Sequence, residues 1–247
     1  MPRFFVTDGS LSPSAREVTL LGEDARHISL SLRMAAGEEL TLSDGEGNDY
    51  LCRLQALTPT AVTAEVLSCR RGEAEPPFPI YVYMAYPKGD KLEFVIEKAV
   101  ELGAAAVCPF LSSRCVRRPA AEKTARLTER YCRIARAAAG QCGRAVLPRV
   151  EETLSFEAML ARATAEGPAL FCYEGEGTRQ IPAVLSDLKS PRALSVIIGA
   201  EGGFSPEEAA AAQAAGCHLT GLGRRILRCE TAPLVALSCV GFYYDFT

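Results

Sequence analysis

The sequence predicts an α/β protein in which a small β-rich unit precedes a larger domain built on a parallel sheet. Alternating strand-like runs fill roughly the first seventy residues, whereas strand and helix patterns alternate from about residue 80 onward. In the last third, three short apolar runs each end in a glycine-rich turn. Turns of this kind at the carboxyl ends of parallel strands are where such a sheet forms its ligand crevice.

The β-rich unit is predicted from alternation and turn chemistry. The run Glu38–Ser43 leads into an Asp-Gly turn at Asp44, and the runs Tyr50–Leu54 and Ala61–Val66 follow. Alternating runs around an Asp-Gly turn are typical of β-hairpins. The polar, proline-rich stretch Arg71–Pro77 predicts a linker. The predicted domains are therefore residues 1–72 and 73–247.

The second domain alternates strands with helices. The predicted strands are Ile80–Tyr86, Ala105–Phe110, Ala169–Tyr173, Leu194–Ile198 and Leu219–Leu222. The predicted helices are one over Leu92–Ala99 that stops at Gly103, Glu122–Ala139, one that starts from the capping box at Ser205, and Thr231–Phe246.

Composition and charge exclude several protein classes. Of the 247 residues, 48% are apolar and 23% charged, no apolar run is as long as a membrane span, and the N-terminus lacks a signal-peptide core. We therefore expect a cytoplasmic protein. The ten cysteines form no C-x-x-C pair and there are two histidines, so we expect free thiols acting as small apolar groups, and no metal site.

The charge distribution points to a polyanionic partner. The net charge is −3, yet residues 114–149 hold ten arginines and lysines against Glu122 and Glu129, a local charge of +8. We call this stretch the basic window. Arg126, Arg130 and Arg133 recur on one face of the predicted helix within it. A local basic face on an acidic chain is typical of nucleic-acid binding.

Two of the glycine-rich turns could carry chemistry. Gly199–Gly203 lacks the spacing of a dinucleotide fingerprint or a P-loop, and a tight turn before a helix would also explain it. Gly223–Thr231 holds three arginines and Glu230 between a strand and an apolar helix. Such a loop could grip an anionic substrate, or it could be a solvated basic turn.

These two turns also carry a family resemblance. Ile198–Ser205 together with Leu222–Ala232 resembles the RsmE family, SPOUT-class methyltransferases that modify N3 of a specific uridine in 16S ribosomal RNA. The likeness extends over nearly the whole chain. It includes Pro2–Phe5, His27, Leu32-Arg33, Lys88–Lys91, Lys98–Gly103 and Arg136–Arg144.

The resemblance implies a fold, a cofactor and partners. Residues 73–247 would form a knotted (trefoil) parallel-sheet methyltransferase domain, and residues 1–72 a PUA-like β-barrel that helps to bind RNA. The cofactor would be S-adenosyl-L-methionine, the substrate 16S rRNA or the small ribosomal subunit, and the assembly a homodimer. The residues implied to hold the cofactor are Tyr173, Glu174, Ile198, Gly199, Glu201, Gly202, Leu222, Gly223, Arg225, Ile226 and Leu227.

Further residues are predicted to bind RNA or take part in the reaction. The RNA-binding candidates are Arg3, His27, Arg33, Lys88, Lys91, Arg130, Arg133, Arg136, Gln141 and Arg144. Methylation at N3 requires loss of the N3 proton, so Arg228 would stabilise the uracil anion, and Glu201 or Glu230 would accept the proton. Either carboxylate could instead cap a turn or a helix.

Two other functions stay open at this point. The fold could serve a methyltransferase that acts on tRNA or on another rRNA position. The chain could also be an RNA-binding assembly factor without catalysis, although its intact loops favour an enzyme.

Overall fold

The computed structural model describes residues 1–245, and these residues form two compact units. The first comprises Met1–Glu75 and Ala139–Leu147, and the second comprises Pro76–Ala138 and everything described from Pro148 onward. The segment Ala139–Leu147 thus belongs to the first unit, although it lies between elements of the second in the chain. This division is not predictable from the sequence, because a helical pattern does not show which unit its end packs in.

The first unit is built on a five-stranded sheet in the order β1-β3-β4-β5-β2. Its strands are β1 (Arg3–Phe5), β2 (Glu17–Leu21), β3 (Glu39–Ser43), β4 (Asn48–Leu57) and β5 (Ala61–Arg71). The β1–β3 pair is parallel and the other pairs are antiparallel. A short helix α1 (Gly22–Arg26) continues into a π-helical turn over His27–Ser31. The predicted β-rich unit is confirmed.

The Asp-Gly turn makes the predicted hairpin between β3 and β4. The Asp44 carboxylate accepts hydrogen bonds from the backbone N–H of Glu46 at 2.8 Å and of Asn48 at 3.0 Å. Gly45 and Gly47 have φ values of +78° and +107°, which favour glycine. The turn therefore sets the pairing that buries Leu40, Leu42 and Cys52 in the core of this unit.

The second unit contains an eight-stranded sheet in which every pair is parallel. The order is β11-β13-β10-β12-β6-β7-β8, with β9 paired to β7. The strands are β6 (Ile80–Ala85), β7 (Ala104–Leu111), β8 (Arg149–Val150), β9 (Leu154–Ser155), β10 (Ala169–Cys172), β11 (Arg179–Gln180), β12 (Leu194–Ile198) and β13 (His218–Gly221). All five predicted strands are confirmed, and the central ones are buried on both faces.

Within the described residues, the second unit also contains six helices, which alternate with its strands along the chain. They are α2 (Lys91–Glu101), α3 (Ala121–Cys142), α4 (Phe156–Glu166), α5 (Ile181–Asp187), α6 (Pro206–Ala214) and α7 (Ala232–Tyr244). Helix α2 buries the apolar positions that predicted it, and Gly103 follows it with φ +91°. On α3, Tyr131 and Ala138 are buried whereas Arg126, Arg130 and Arg133 are exposed. The predicted amphipathic helix is confirmed.

Helix α6 starts at the predicted capping box. The Ser205 hydroxyl accepts from the backbone N–H of Glu208 at 3.2 Å, and the Glu208 carboxylate accepts from that of Ser205 at 2.9 Å. The prediction starts helix α7 at Thr231, which the structure makes the N-cap, so the helix begins one residue later at Ala232. Near its end, the Tyr244 hydroxyl donates to the Leu188 carbonyl at 2.6 Å. The predicted last helical residue, Phe246, lies outside the described residues.

None of the ten cysteines, all within the described residues, is in a disulfide bond. Five are buried, but Cys69 and Cys132 are exposed, so the expected apolar role is wrong for those two. Within residues 1–245, no helix is both long and apolar enough to cross a membrane. The same residues contain no cluster of three or more His, Cys, Asp or Glu side chains suited to a metal ion.

Candidate active site

A cavity of about 620 Å³ lies where three adjacent parallel strands end. Strands β12, β10 and β13 are neighbours in the sheet, so the turns that follow them converge at one edge. Every residue that the resemblance assigns to the cofactor lines this cavity. They are Tyr173, Glu174, Ile198, Gly199, Glu201, Gly202, Leu222, Gly223, Arg225, Ile226 and Leu227. The sheet order therefore brings these residues together, and their role in binding stays a prediction.

The turn after β12 is compact because it is made of glycines. The Gly203 N–H donates to the Ala200 carbonyl at 2.9 Å, and Gly203 has φ +61°. A Cβ on Gly199 would lie 3.0 Å from the Cα and carbonyl carbon of Gly203, closer than such atoms normally approach. Gly199, Gly202 and Gly203 line the cavity without side chains, whereas Ala200 and Glu201 of the same turn line it with theirs.

Aromatic packing supports the cavity wall. Phe204 lines the cavity and packs on Phe171 with ring centroids 4.1 Å apart, and it stacks on Phe110 at 6.3 Å. Phe110 and Phe171 are fully buried. On the β10 side, a Cβ on Gly175 would overlap the Tyr173 ring, 2.3 Å from its nearest atom, so this glycine sets where Tyr173 lies. The wall is consequently rigid at both loops.

Arg114 reaches the cavity from the loop after β7, and the sequence analysis did not single it out. Its Nη1 donates to the Gly202 carbonyl at 2.9 Å, and the residue lines the cavity. In the same loop, the Ser113 N–H donates to the Glu208 carboxylate at 2.7 Å. The only sequence signal for Arg114 is its place at the start of the basic window, because its partner lies 88 residues away.

Two of the three residues predicted to act in the reaction line the cavity. Arg228 and Glu201 do so, whereas Glu230 lies behind the wall, beside Cys229. The Arg228 side chain is exposed, and its backbone carbonyl accepts from the N–H groups of Thr231 and Ala232 at the start of α7. A helix start thus fixes the backbone of Arg228 while its guanidinium stays available to a ligand.

Glu201 and Glu230 share one ammonium group. The Nζ of Lys91 lies 3.0 Å from Glu201 Oε1 and 3.2 Å from Glu230 Oε2. Partial burial raises the pKa of Glu201, but backbone hydrogen bonds and Lys91 outweigh it and lower that pKa overall. Backbone hydrogen bonding, Cys229 and Lys91 lower the pKa of Glu230. Burial raises the pKa of the Cys229 thiol to about 12.

The RNA-binding candidates of the first unit differ in accessibility. His27 and Arg33 are exposed, and Arg33 has φ +54°. Arg3 is paired with Asp49 and Gln141 is exposed. Arg144 is buried, with 3% of its side chain exposed, and its guanidinium is 2.7 Å from the Glu75 carboxylate. The Arg144 guanidinium is thus engaged in a buried ion pair within the first unit, and its contact with RNA stays a prediction.

The candidates of the second unit lie on α2, α3 and the turn before α2. Lys88 is exposed and its backbone N–H donates to Glu201 at 3.1 Å. Arg130 is 58% exposed and pairs with Glu93 at 2.8 Å. Arg133 is exposed and Arg136 is half-buried. Helix α3 therefore presents an exposed basic face, as predicted.

Comparison with known proteins decides the family. The family model described as an RNA methyltransferase domain matches residues 74–241, and the RNA methyltransferase PUA domain matches residues 20–67. The chain is 34% identical over 229 residues to the ribosomal RNA small subunit methyltransferase E of Bacillus subtilis, covering 91% of this chain and 89% of the relative. The chain belongs to the ribosomal RNA small subunit methyltransferase E family.

Further relatives and solved structures agree. The methyltransferase E of Mycobacterium bovis is 32% identical, over 89% of this chain and 84% of that protein. A crystal structure of methyltransferase E from Neisseria gonorrhoeae, bound to S-adenosyl methionine, superposes with a TM-score of 0.88 and 31% identity over the full length of both chains. A putative methyltransferase from Legionella pneumophila, in complex with the cofactor, gives 0.84 and 28% identity over 97% of this chain and 96% of that one.

Family membership confirms the resemblance found in the sequence. It confirms the predicted fold class, a parallel-sheet α/β methyltransferase domain with a small N-terminal PUA-like domain. It also confirms the predicted enzyme class, an rRNA methyltransferase. The trefoil knot that the resemblance implies stays a prediction.

Proposed function

We propose that this protein uses S-adenosyl-L-methionine to methylate N3 of a specific uridine in 16S rRNA, giving 3-methyluridine. The observation that carries the proposal is the cavity formed by the turns after β12, β10 and β13, which combines a bare glycine backbone with arginines at its wall. Two relatives of the same fold carry the cofactor in their solved structures. The substrate would be 16S rRNA, free or within the small ribosomal subunit.

The residues of the cavity fit this cofactor. A volume of about 620 Å³ suits a ligand of nucleoside size. Three of the five residues of the Gly199–Gly203 turn are glycines, so its backbone can be approached closely at those positions. Leu222, Ile226 and Leu227 offer apolar contact. When bound, the cofactor supplies an electrophilic methyl group, so the protein does not have to create one.

The chain's own contribution is to orient the two reactants and stabilise charge. Uridine N3 becomes a good nucleophile as its proton leaves, and the negative charge then spreads over the uracil oxygens. We assign the stabilisation of that anion to the guanidinium of Arg228, a residue that lines the cavity. Glu201 and Glu230 are weak bases because their pKa values are lowered. The N3 proton would therefore pass to a solvent water molecule, and the main contribution of the protein would be stabilisation of the uracil anion by Arg228.

The proposed function is tested on subunits that lack the modification. Small subunits and free 16S rRNA from cells without this protein are incubated with purified protein and the cofactor, and methylated nucleotides are mapped by mass spectrometry. A single new 3-methyluridine in 16S rRNA supports the proposal. Methylation of tRNA or of another rRNA position would replace the proposed target, and absence of transfer would favour the non-catalytic assembly factor.

The RNA-binding surface is proposed to include the basic face of α3. Changing Arg130 and Arg133 to Glu is expected to weaken rRNA binding. The slope of log K against log salt should become less steep by about one to two, because binding without these two phosphate contacts releases fewer counterions. Cofactor affinity should not change. The measurement is a filter-binding titration at several salt concentrations.

The control for reversal of a single arginine is Arg179→Glu, which is compared with Arg130→Glu alone because each replaces one arginine by glutamate. Arg179 is 50% exposed and ion-paired with Asp187, as Arg130 is 58% exposed and paired with Glu93, but it lies outside the basic window. The control separates loss of a local contact from a general change of net charge. An unchanged salt slope in the Arg130/Arg133 variant would exclude this face as the RNA site.

We also propose that the protein is a homodimer, as the resemblance implies. Helices α2 and α7 pack together, and both expose large apolar side chains, with Phe94 43% and Phe242 67% exposed. Ile226, at the cavity wall, is 85% exposed. A contiguous exposed patch of such side chains would be typical of an interface. Light scattering should give about twice the chain mass of 26.5 kDa, and a mass equal to one chain at micromolar concentration would contradict the dimer.

A further inference from the structure

Lys91 connects three chain segments that are far apart in the sequence. It is the first residue of α2, Glu201 lies in the turn after β12, and Glu230 lies just before Thr231, the N-cap of α7. Its Nζ is 3.0 Å from Glu201 Oε1 and 3.2 Å from Glu230 Oε2. The turn that holds Glu201 and the loop that ends at Glu230 both line the cavity. One ammonium group therefore ties together two walls of the candidate site.

All three N–H donors of Lys91 have partners within the protein. Besides the two carboxylates, Nζ lies 3.8 Å from the Sγ of Cys229. An ammonium group has three donors and no acceptor, so none remains for a phosphate oxygen. The three charged groups sum to −1, because two carboxylates face one ammonium. This local charge repels phosphate, which argues against the RNA contact predicted for Lys91 from its place at a helix start.

We propose that Lys91 is a positioning residue for the cofactor site, and that it does not bind RNA. Lys91 does not line the cavity itself; it acts through Glu201 and through the segment of Glu230. The backbone N–H of Lys88 adds a second tie to Glu201 at 3.1 Å. Without the ammonium, two like charges would face each other and push the Gly199–Gly203 turn away from the 223–231 loop. The inference rests on the proposed function, since it concerns how the cofactor is held.

The same helix provides a closely matched control. Lys98 also lies on α2, its side chain is 32% exposed like that of Lys91, and its Nζ contacts two carboxylates, Glu97 at 2.7 Å and Glu101 at 2.8 Å. Both of those partners belong to α2. Lys98→Gln therefore removes two ion pairs without releasing a loop, whereas Lys91→Gln removes two ion pairs that join separate segments.

Calorimetric titration with S-adenosyl-L-methionine tests the inference. Lys91→Gln is expected to weaken cofactor binding by on the order of tenfold or more, the scale of one lost charge-assisted hydrogen bond, while Lys98→Gln stays within about twofold of the wild type. The salt slope of rRNA binding should be the same for both variants and the wild type. Adding Glu230→Gln to Lys91→Gln should recover part of the lost affinity, because it removes one of the two facing charges; a general loss of folding would not be recovered in this way.

Three outcomes are decisive. Wild-type cofactor affinity in Lys91→Gln would overturn the inference. A salt slope of rRNA binding lowered by about one in Lys91→Gln would restore Lys91 as a phosphate contact and also overturn it. Failure of the wild-type protein itself to bind the cofactor would instead refute the proposed function, so the two failures are distinguishable.

Discussion

Arg228→Ala is expected to lower the rate of methyl transfer by on the order of a hundredfold or more, the scale of losing one preorganised electrostatic contact. Arg228 lines the cavity, and the start of α7 holds its backbone. Stabilisation of the uracil anion grows toward the transition state, so the loss should appear in turnover more than in binding. Raising the pH should recover part of the rate, because the uracil then loses its proton in solution. Single-turnover transfer measured across pH provides the test.

Arg224→Ala is the control for this variant. Arg224 lies in the same loop and is exposed, but it is not among the residues that line the cavity. It should keep the wild-type rate and pH profile. If Arg228→Ala keeps its rate and loses cofactor affinity instead, Arg228 is a binding group and the role proposed for it is wrong.

Gly199→Val is expected to weaken cofactor binding by at least about a hundredfold, which corresponds to ~3 kcal/mol. A Cβ at this position would lie 3.0 Å from the backbone of Gly203, so the turn, which lines the cavity, would have to open. Overlap with backbone is not relieved by a rotamer change, as overlap with a flexible side chain would be. Calorimetric titration with the cofactor measures the loss.

Gly216→Asn serves as the folding control. Gly216 follows α6 with φ +92°, a conformation that Asn tolerates, and a Cβ there would have no heavy atom within 4 Å. It should bind the cofactor as the wild type does. Gly202→Val is a second probe, because its Cβ would lie 3.1 Å from the Cβ of Arg114, and we expect it to disturb the same wall. Wild-type binding by both Gly199→Val and Gly202→Val would exclude this turn as the cofactor site.

Local sequence patterns determined the elements and the loops of this protein. Strand β12 was predicted with the bounds that the structure shows, Leu194–Ile198, because a short apolar run bounded by glycine has few alternatives. The capping box at Ser205 and the stop of α2 at Gly103 were likewise predictable, since each depends on residues within one helical turn. The family resemblance then assigned roles to the loops that composition and spacing alone left open.

The tertiary structure alone decided which side chains meet. Lys91 looked like a phosphate contact from its place at a helix start, but its charge is matched by carboxylates from two other segments, one of them 110 positions away in the chain. Arg144 belongs to the basic window, and the sequence therefore suggests an RNA contact for it. In the structure its guanidinium pairs with Glu75, 69 residues away, within the first unit. Periodicity and turn chemistry depend on near neighbours, whereas the partner of a charged side chain depends on how distant segments pack. A single sequence therefore predicts where the loops are, and the packing of the sheet and helices determines which of their charges remain available to a ligand.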